Sequence, residues 1–278
     1  MSSATPAVTI PRLRESDRGR VTQVRVIASE WTKFVTLRST RWSLGVGMLL
    51  TIAFPILFAT VTAARWGQMS PHERADRHPL DIALAGVNVA QLAIAVLGVL
   101  VITGEYSTGM IRSTMLAAPR RLPVLWAKLG VYGVVSFVLT LPAIVVAFYS
   151  SQAILNRHHP LQISFTAPGV ARVIVGGALY VLGVGIFALA LGAIVRNTAG
   201  GIALFSGIFF VIPPLMNILP SNWNNAISRW LPSEAGRQLF ALTKDPHRYA
   251  QWPSGAIFLG YCVLAVAIAA VLLDRRDT

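Results

Sequence analysis

Six long stretches of this sequence contain no aspartate, glutamate, lysine or arginine, and they constrain the fold more than any other feature. They cover residues 42–64, 82–104, 129–156, 173–195, 197–228 and 249–273. A helix needs about 20 consecutive apolar residues to cross a hydrocarbon layer of about 30 Å, because each residue adds about 1.5 Å of length. We therefore expect an all-α polytopic membrane protein with six transmembrane helices. The predicted spans are residues 42–64, 82–104, 124–149, 172–195, 199–219 and 253–273.

The composition also indicates a chain whose surface mostly faces lipid. Apolar residues make up 54% of the 278 positions and charged residues only 13%, which leaves too few polar side chains to cover a soluble domain. We expect a single membrane domain over residues 21–278, after a disordered basic tail at residues 1–20. The one cysteine, Cys262, lies in the last span, so neither a disulfide framework nor a metal-type cysteine spacing is present, and a packing role is favoured.

The net charge of +13 is distributed in a way that indicates a membrane rather than nucleic acid. If the N-terminus is cytoplasmic, 15 of the 24 lysines and arginines fall on the cytoplasmic side and 9 on the other side. This is the bias of the positive-inside rule. Glu15 and Asp17 interrupt the basic tail, so we expect anionic lipid headgroups as its partner and no nucleic acid.

Residues 21–41, just before the first span, have the pattern of an amphipathic helix that lies in the headgroup region. Apolar residues recur there at spacings of three and four, at Val21, Val24, Ala28, Trp31 and Val35. Trp31 is expected near the membrane interface. Glu30 and Lys33 are three positions apart and can pair on one helix face. The pair is interpreted either as a solvated surface pair or as a contact with a cytoplasmic partner.

Two amides in the second span, Asn88 and Gln91, lie one helical turn apart at a depth where an amide needs a hydrogen-bond partner. They either line a path for substrate or tie neighbouring helices together. Hydrogen bonds of about 1 kcal/mol between membrane helices are the more frequent role of such residues. The structural interpretation is therefore favoured, with a substrate path as the alternative.

The segment between the fifth and sixth spans is expected to form a short amphipathic helix at the outer interface. Pro213 and Pro214 are expected to interrupt the fifth span, because proline removes a backbone donor. Beyond them, Trp223, Ile227 and Trp230 recur at helical spacing among asparagine and serine. The spacing places these three residues on a helix at the outer face of the membrane.

The connection between the second and third spans combines charge with an apolar stripe. Glu105 follows an apolar run, where a carboxylate must be paired or hydrated, and Arg112 lies about two turns later. Ile111, Met115 and Leu116 form an apolar stripe beside it. A short amphipathic helix of this kind fits a groove in a water-soluble partner.

In this loop and in two other segments, the chain resembles the permease subunits of ABC-2-type ATP-binding-cassette transporters, especially compact six-span bacterial members. The resemblance covers residues 29–39, 105–128 and 231–236 and extends over most of the chain. The family pattern of Glu, Gly, Pro, Arg and Lys falls on Glu105, Gly109, Pro119, Arg121 and Lys128. Met110 departs from the threonine that often follows the glycine, and Gly104 and Tyr106 flank the glutamate where charges are frequent. These departures bear on the subfamily more than on the family.

The resemblance implies a half-transporter in the bacterial inner membrane, with both termini in the cytoplasm. It implies a second permease copy or paralogue as partner and two separate ATPase subunits. We expect export through the permease interface, lined by the second and fifth spans, with Trp223, Ile227 and Trp230 as an outer gate. The 105–121 loop would be the coupling helix. Its expected coupling residues are Glu105, Tyr106, Gly109, Ile111, Arg112, Met115, Pro119 and Arg121. No G-x-x-x-x-G-K-[ST] phosphate loop occurs in the sequence, so ATP and magnesium would be used by the partner and no cofactor by this chain.

Other classes of protein have weaker support. An intramembrane metalloenzyme would need a histidine at Asp76 to complete the pattern begun by His72 and Glu73, and Ala256 stands where a lipid phosphatase would need a catalytic histidine. The sequence therefore predicts a transport subunit and not an enzyme. A secondary transporter usually carries ionisable residues within its spans, and we expect none in these spans. An ATP-independent transporter or a membrane immunity or binding protein stays open as the alternative, and the sequence does not indicate the substrate.

Overall fold

The computed structural model describes residues 22–75, 77–109, 121–158, 163–242 and 246–275. Over these ranges all regular elements are helices, and six of them are long and apolar enough to cross a membrane. These six spans are Arg38–Gln68, Pro79–Ser107, Leu122–Asn156, Val170–Val195, Thr198–Met216 and Gln251–Arg275. Over the described residues, the structure confirms the prediction of an all-helical fold with six helices that could span a membrane. The predicted tail at residues 1–20 lies outside the described residues.

The α-helices begin and end at Gln23–Thr36, Arg38–Arg65, Pro71–Ala75, Pro79–Ser107, Arg121–His158, Val170–Val195, Thr198–Ser206, Ile212–Met216, Ser221–Ser228, Pro232–Arg237 and Gln251–Arg275. Short 3₁₀ turns follow at Trp66–Gln68 and Gln238–Phe240, and a π-helical turn lies at Gly207–Val211. The main spans pack side by side, and the fourth span lies at the centre. It contributes many of the fully buried residues of the core.

The helices extend beyond the charge-free stretches. The second span, predicted at 82–104, is the helix Pro79–Ser107, and the third span, predicted at 124–149, lies in the helix Arg121–His158. Helix ends are set by capping and by backbone hydrogen bonding rather than by the last apolar residue. The expectation that the spans hold no ionisable residues is therefore wrong. The span helices include charged residues in their end turns, and Lys128 lies about two turns inside the third.

The predicted interfacial helix, residues 21–41, is shorter than expected. It ends at Thr36, Leu37 is extended with ψ 120°, and the first span begins at Arg38. We call Gln23–Thr36 the N-terminal helix. Its buried residues recur every four positions and are Val26, Glu30 and Phe34. The predicted apolar stripe lies on another face of this helix and is exposed. Val24 and Trp31 have 74% and 51% of their surface exposed.

Glycines allow the close approach of helices around the fourth span. A Cβ atom added to Gly185 would lie 2.4 Å from the hydroxyl oxygen of Tyr132, and one added to Gly176 would lie 2.0 Å from the carbonyl oxygen of Leu239. Side chains at these positions would overlap their neighbours, so the small residues are required by packing. These glycines therefore allow the fourth span to pack tightly against its neighbours.

The fifth span is not interrupted at Pro213 and Pro214, contrary to the prediction. The helix Thr198–Ser206 passes into the π-helical turn Gly207–Val211, and both prolines lie in the first turn of the helix Ile212–Met216. The first turn of a helix tolerates proline, because its N–H groups have no intrahelical acceptor. The helix ends at Met216, before the predicted limit of 219. Of the six spans it is the least buried by the rest of the described chain.

The segment 221–240, between the fifth and sixth spans, folds back onto the bundle. It begins with the short helix Ser221–Ser228, and residues 232–240 pack between the fourth and sixth spans. A Cβ atom added to Gly236 would lie 2.6 Å from the ring of Tyr180, and one added to Gly255 would lie 2.6 Å from Leu239. The second half of this segment is therefore a structural part of the bundle rather than a free surface loop.

Candidate functional site

Four charged side chains from three different helices meet at one end of the bundle. Glu30 and Lys33 come from the N-terminal helix, Glu105 from the last turn of the second span, and Lys128 from the early part of the third span. Glu30, Glu105 and Lys128 are buried, with 5%, 6% and 4% of their surface exposed. We call these residues the four-charge cluster.

Each lysine in the four-charge cluster contacts both glutamates. Lys128 Nζ donates to Glu30 Oε2 at 2.6 Å and to Glu105 Oε1 at 2.9 Å. Lys33 Nζ donates to Glu30 Oε1 and to Glu105 Oε1, each at 2.8 Å. Positive and negative groups thus alternate around the cluster, and its formal charge is zero.

The balance of charge explains how the cluster is tolerated away from water. Removing an ion from water costs several kcal/mol, and the cost is offset only when the partners are close and well hydrogen-bonded. Burial by itself would lower the pKa of Lys33, but its hydrogen bonds to Glu105 and Glu30 and the attraction of both carboxylates outweigh this effect and raise the pKa. Lys33 therefore stays an ammonium in the cluster.

Apolar contacts hold the N-terminal helix on the third span on either side of the cluster. Val26 packs with Val124 and Ala127, and the ring of Phe34 meets the ring of Tyr132 edge to face at a centroid distance of 6.2 Å. Such an aromatic pair stabilises by about 0.5–1.5 kcal/mol beyond the area it buries. The helix is therefore fixed in rotation, which directs Glu30 and Lys33 inward.

A cavity of about 190 Å³ adjoins the four-charge cluster. Its walls come from the N-terminal helix, the start of the first span and the end of the second span. Besides the four charged residues it is lined by Phe34, Leu37, Ser39, Thr40, Leu97, Leu100, Val101, Gly104, Ser107 and Thr108. Glu105 Oε2 is buried and has no hydrogen-bond partner among the described residues. The cluster therefore retains one free acceptor beside the start of the 105–121 loop.

The end of the second span also contacts the turn between the fourth and fifth spans. The guanidinium carbon of Arg196 lies 5.2 Å from the ring centroid of Tyr106, and Thr198 donates to Thr103 at 2.8 Å. Arg196 has a φ of 57°, which is unusual for a residue other than glycine and ends the fourth span in a left-handed turn. Contacts from the N-terminal helix and the third, fourth and fifth spans thus converge on the start of the loop.

The predicted coupling residues are only partly described. Glu105 and Tyr106 lie in the last helical turn of the second span, and Gly109 follows with a φ of 70°. Ile111, Arg112, Met115 and Pro119 lie outside the described residues, and so does the expected coupling helix. Arg121 is the first residue of the helix that contains the third span, and its side chain is not described.

Asn88 and Gln91, the possible pathway residues, have different surroundings. Gln91 is 1% exposed, accepts a hydrogen bond from the hydroxyl of Tyr180 and donates to the carbonyl oxygen of Asn88 at 2.9 Å. The side chain of Asn88 lies on an exposed face of the helix. Gln91 ties the second span to the fourth, whereas Asn88 does not share its buried environment.

The residues predicted to form an outer gate lie in and just after the helix Ser221–Ser228. Trp223, Ile227 and Trp230 are 65%, 39% and 48% exposed, and Trp230 meets the ring of Tyr249 edge to face at 5.4 Å. Three other residues of the segment 221–240, Ser228, Glu234 and Arg237, line a cavity. Sequence reasoning did not select them.

Sequence reasoning also did not select Lys128 as a site residue, although the family pattern includes it. The usable signal was a lysine directly before the charge-free stretch 129–156, because such a charge requires a buried partner. A scan against protein-family models finds no match to this chain, and a search of curated proteins finds none. The functional assignment therefore depends on the sequence pattern and on the geometry of the four-charge cluster.

Proposed function

We propose that this chain is the membrane-spanning permease subunit of an ABC-2-type exporter and that a separate ATPase subunit supplies the energy. The observation that carries the proposal is the four-charge cluster, which joins the N-terminal helix to both helices that flank the 105–121 loop. Glu105 stands on one side of the loop and Lys128 on the other. Any displacement of the loop would therefore move both Glu105 and Lys128.

The connections of the cluster offer a mechanical route from the loop to the spans. Glu105 and Lys128 are held to Glu30 and Lys33, so the loop and the N-terminal helix move as one unit. A single extended residue, Leu37, links that helix to the first span. In this mechanism the ATPase pushes on the loop, and the rigid unit transmits the motion to the first three spans.

The architecture is also compatible with a second permease copy or paralogue. The fifth span has a large surface that no described residue covers, since only 17% of its most apolar part is buried. We propose that the two permeases meet along the second and fifth spans and that the substrate moves outward between them. In this arrangement both termini are cytoplasmic, the chain lies in a bacterial inner membrane, and the segment 221–240 lies on the outer side.

One observation favours a second candidate function, an ATP-independent secondary transporter. Buried ionisable residues in membrane helices are typical of proteins that couple ion movement to transport, and Glu105 and Lys128 are such residues. The free oxygen of Glu105 is an acceptor that a proton would fit. The even charge balance of the cluster favours a structural connection over a proton path, because each ammonium already contacts both carboxylates.

The two functions are separated by purifying the tagged full chain from its native membranes in a mild detergent. The proposal expects that an ATP-binding-cassette ATPase copurifies with the chain and hydrolyses ATP. Arg112→Ala should reduce the amount of bound ATPase, because Arg112 lies in the loop expected to dock on it. The matched control is Arg65→Ala, which removes an exposed arginine at the opposite end of the bundle and should leave binding unchanged.

The opposite result would reject the permease assignment. If no ATPase copurifies, and the isolated chain in vesicles catalyses substrate movement driven by a proton gradient, the secondary transporter is the correct class. If both arginine variants lose the ATPase equally, the loop is not the docking site, even though the chain binds an ATPase.

A further inference from the structure

A second group of charged side chains lies at the end of the bundle opposite the four-charge cluster. Glu234, Arg237 and Arg248 come from the connection between the fifth and sixth spans, whereas the four-charge cluster adjoins the connection between the second and third. Because the six spans cross the membrane in alternating directions, successive connections lie at alternate ends of the bundle. These two connections are therefore at opposite ends. The three residues line a cavity of about 360 Å³, which we call the arginine cavity.

The arginine cavity holds two guanidinium groups and one carboxylate, which are only loosely paired. Glu234 Oε2 lies 3.1 Å from Arg248 Nη2, and Glu234 Oε1 lies 3.3 Å from Arg237 Nη1. Charge-assisted hydrogen bonds are typically about 2.7–2.9 Å long, so the contact with Arg237 is weak. Arg237 Nε is buried and has no hydrogen-bond partner among the described residues. Glu234 therefore leaves part of the Arg237 guanidinium unsatisfied.

The remaining walls of the arginine cavity are partly apolar and partly neutral polar. The other lining residues are Phe209, Phe210, Pro213, Pro214, Asn217 and Ser228. The apolar residues belong to the π-helical turn and the first turn after it, and π-helical turns occur frequently at functional sites. Ligand sites span about 300–1,000 Å³, so the arginine cavity has room for a headgroup rather than for a whole amphiphile.

The site lies at the level of the spans and not on a distant loop. Gly236, the neighbour of Arg237, packs directly on the ring of Tyr180, and Tyr180 is ten residues after the start of the fourth span at Val170. At about 1.5 Å per residue, this corresponds to about 15 Å along the helix. The arginine cavity therefore adjoins the spans themselves.

From these observations we propose that the arginine cavity binds an oxyanion, a phosphate or carboxylate group, carried as the headgroup of an amphiphile or present as a free anion. Arg237 provides the recognition, because its guanidinium presents parallel donors that match two oxygens of an oxyanion. Arg248 supplies the second positive charge, and Asn217 and Ser228 supply neutral polar groups. The carboxylate of Glu234 contacts both arginines and would therefore compete with the anion.

The test uses the full chain, purified in an uncharged detergent, and three probes. Dihexanoyl phosphatidylglycerol is the anionic amphiphile, dihexanoyl phosphatidylcholine is its zwitterionic match, and inorganic phosphate is the free anion. Affinity is measured by titration calorimetry. We expect the anionic amphiphile to bind roughly tenfold more tightly than the zwitterionic one, since one strong charged contact changes affinity by about this factor.

Variants assign the binding to named residues. Arg237→Gln should weaken binding of the anionic amphiphile by roughly tenfold, and Glu234→Gln should strengthen it because the competing carboxylate is removed. Arg65→Gln, an exposed arginine at the same end of the bundle, should leave the affinity unchanged. If Arg237→Gln does not fold, the opposite effect of Glu234→Gln still tests the proposal. Melting temperatures in the same detergent verify that the variants are folded.

The outcomes distinguish the source of the anion. Competition by inorganic phosphate against the amphiphile, or phosphate binding alone, assigns the site to a free oxyanion, and the absence of phosphate binding assigns it to a headgroup. The proposal is overturned if neither anionic probe binds, if the zwitterionic amphiphile binds as tightly, or if both charge variants leave the affinity unchanged. These measurements need no ATPase, so they are independent of the proposed transport function.

Discussion

The ammonium of Lys128 lies 2.6 Å from the carboxylate of Glu30, although the two residues are 98 positions apart in the sequence. Both side chains are almost fully buried. The contact fixes the N-terminal helix to the third span, and through Glu105 also to the second span. A segment that would otherwise lie on the membrane surface thus becomes part of the bundle, next to the loop through which a partner would act.

Lys128→Met should destabilise the protein by about 3–5 kcal/mol, because it leaves buried carboxylates with too little compensating charge. Thermal unfolding in detergent, followed by loss of the monodisperse peak in size-exclusion chromatography, measures the effect. The control is the double variant Lys128→Met with Glu30→Gln, which removes one charge of each sign. The double variant should be more stable than the single one. Equal losses in both would show that the charge balance is not what stabilises the cluster.

The pKa of Lys33 predicts how attachment of the N-terminal helix depends on pH. Because the pKa is raised above the ordinary value of 10.5, the folded chain holds this proton more tightly than the unfolded chain. The stabilisation is complete below pH 10.5 and is lost as the pH rises through the higher folded pKa. Melting temperatures of the wild type between pH 8 and 11 should therefore be steady at first and fall at the alkaline end.

Lys33→Arg provides the matched control for this pH dependence. Arginine keeps its charge throughout this pH range, since its pKa is above about 12. The arginine variant should therefore lose less stability than the wild type at the alkaline end. A decline of the same size in both proteins would assign the effect to other groups.

Tyr180→Phe should destabilise the protein by about 1 kcal/mol, because it removes the hydroxyl that donates to the buried Gln91. Asn88→Ala is the control, since the Asn88 side chain is exposed and should contribute little to stability. Thermal unfolding of both variants decides whether Asn88 and Gln91 tie neighbouring helices together or line a path for substrate. A large loss of transport in Asn88→Ala without loss of stability would favour the pathway interpretation for that residue.

Gly86→Ala should disrupt the contact between the first and second spans. The added methyl group would lie 2.2 Å from the backbone carbonyl oxygen of Thr51, which cannot move without shifting a helix. Overpacking of this kind costs about 1–3 kcal/mol or more. Gly130→Ala is the matched control, because a Cβ atom there meets nothing within 4 Å. Its melting temperature should equal or exceed that of the wild type, and an equal loss in both would contradict the packing argument.

Much of the fold could be predicted because it depends on local properties. The length of an apolar stretch decides whether a helix can cross a membrane, and each of the six predicted spans coincides with helical structure, although the fifth ends at Met216 rather than at 219. The pairing of Glu30 with Lys33 is likewise a consequence of helical spacing and is observed at 2.8 Å. Such features need no knowledge of neighbouring helices.

The site could not be derived in the same way. The sequence showed that Glu105 needs a partner, but the partners are Lys33 and Lys128, which only helix packing brings together. The break at Leu37 and the continuous helix at Pro213 also depend on how the segments pack. The sequence by itself determined six apolar helices, because hydrophobic length is a property of each segment alone. Only the tertiary structure decided that Glu30, Lys33, Glu105 and Lys128 form one balanced cluster, because the cost of a buried charge depends on which charges its neighbours place beside it.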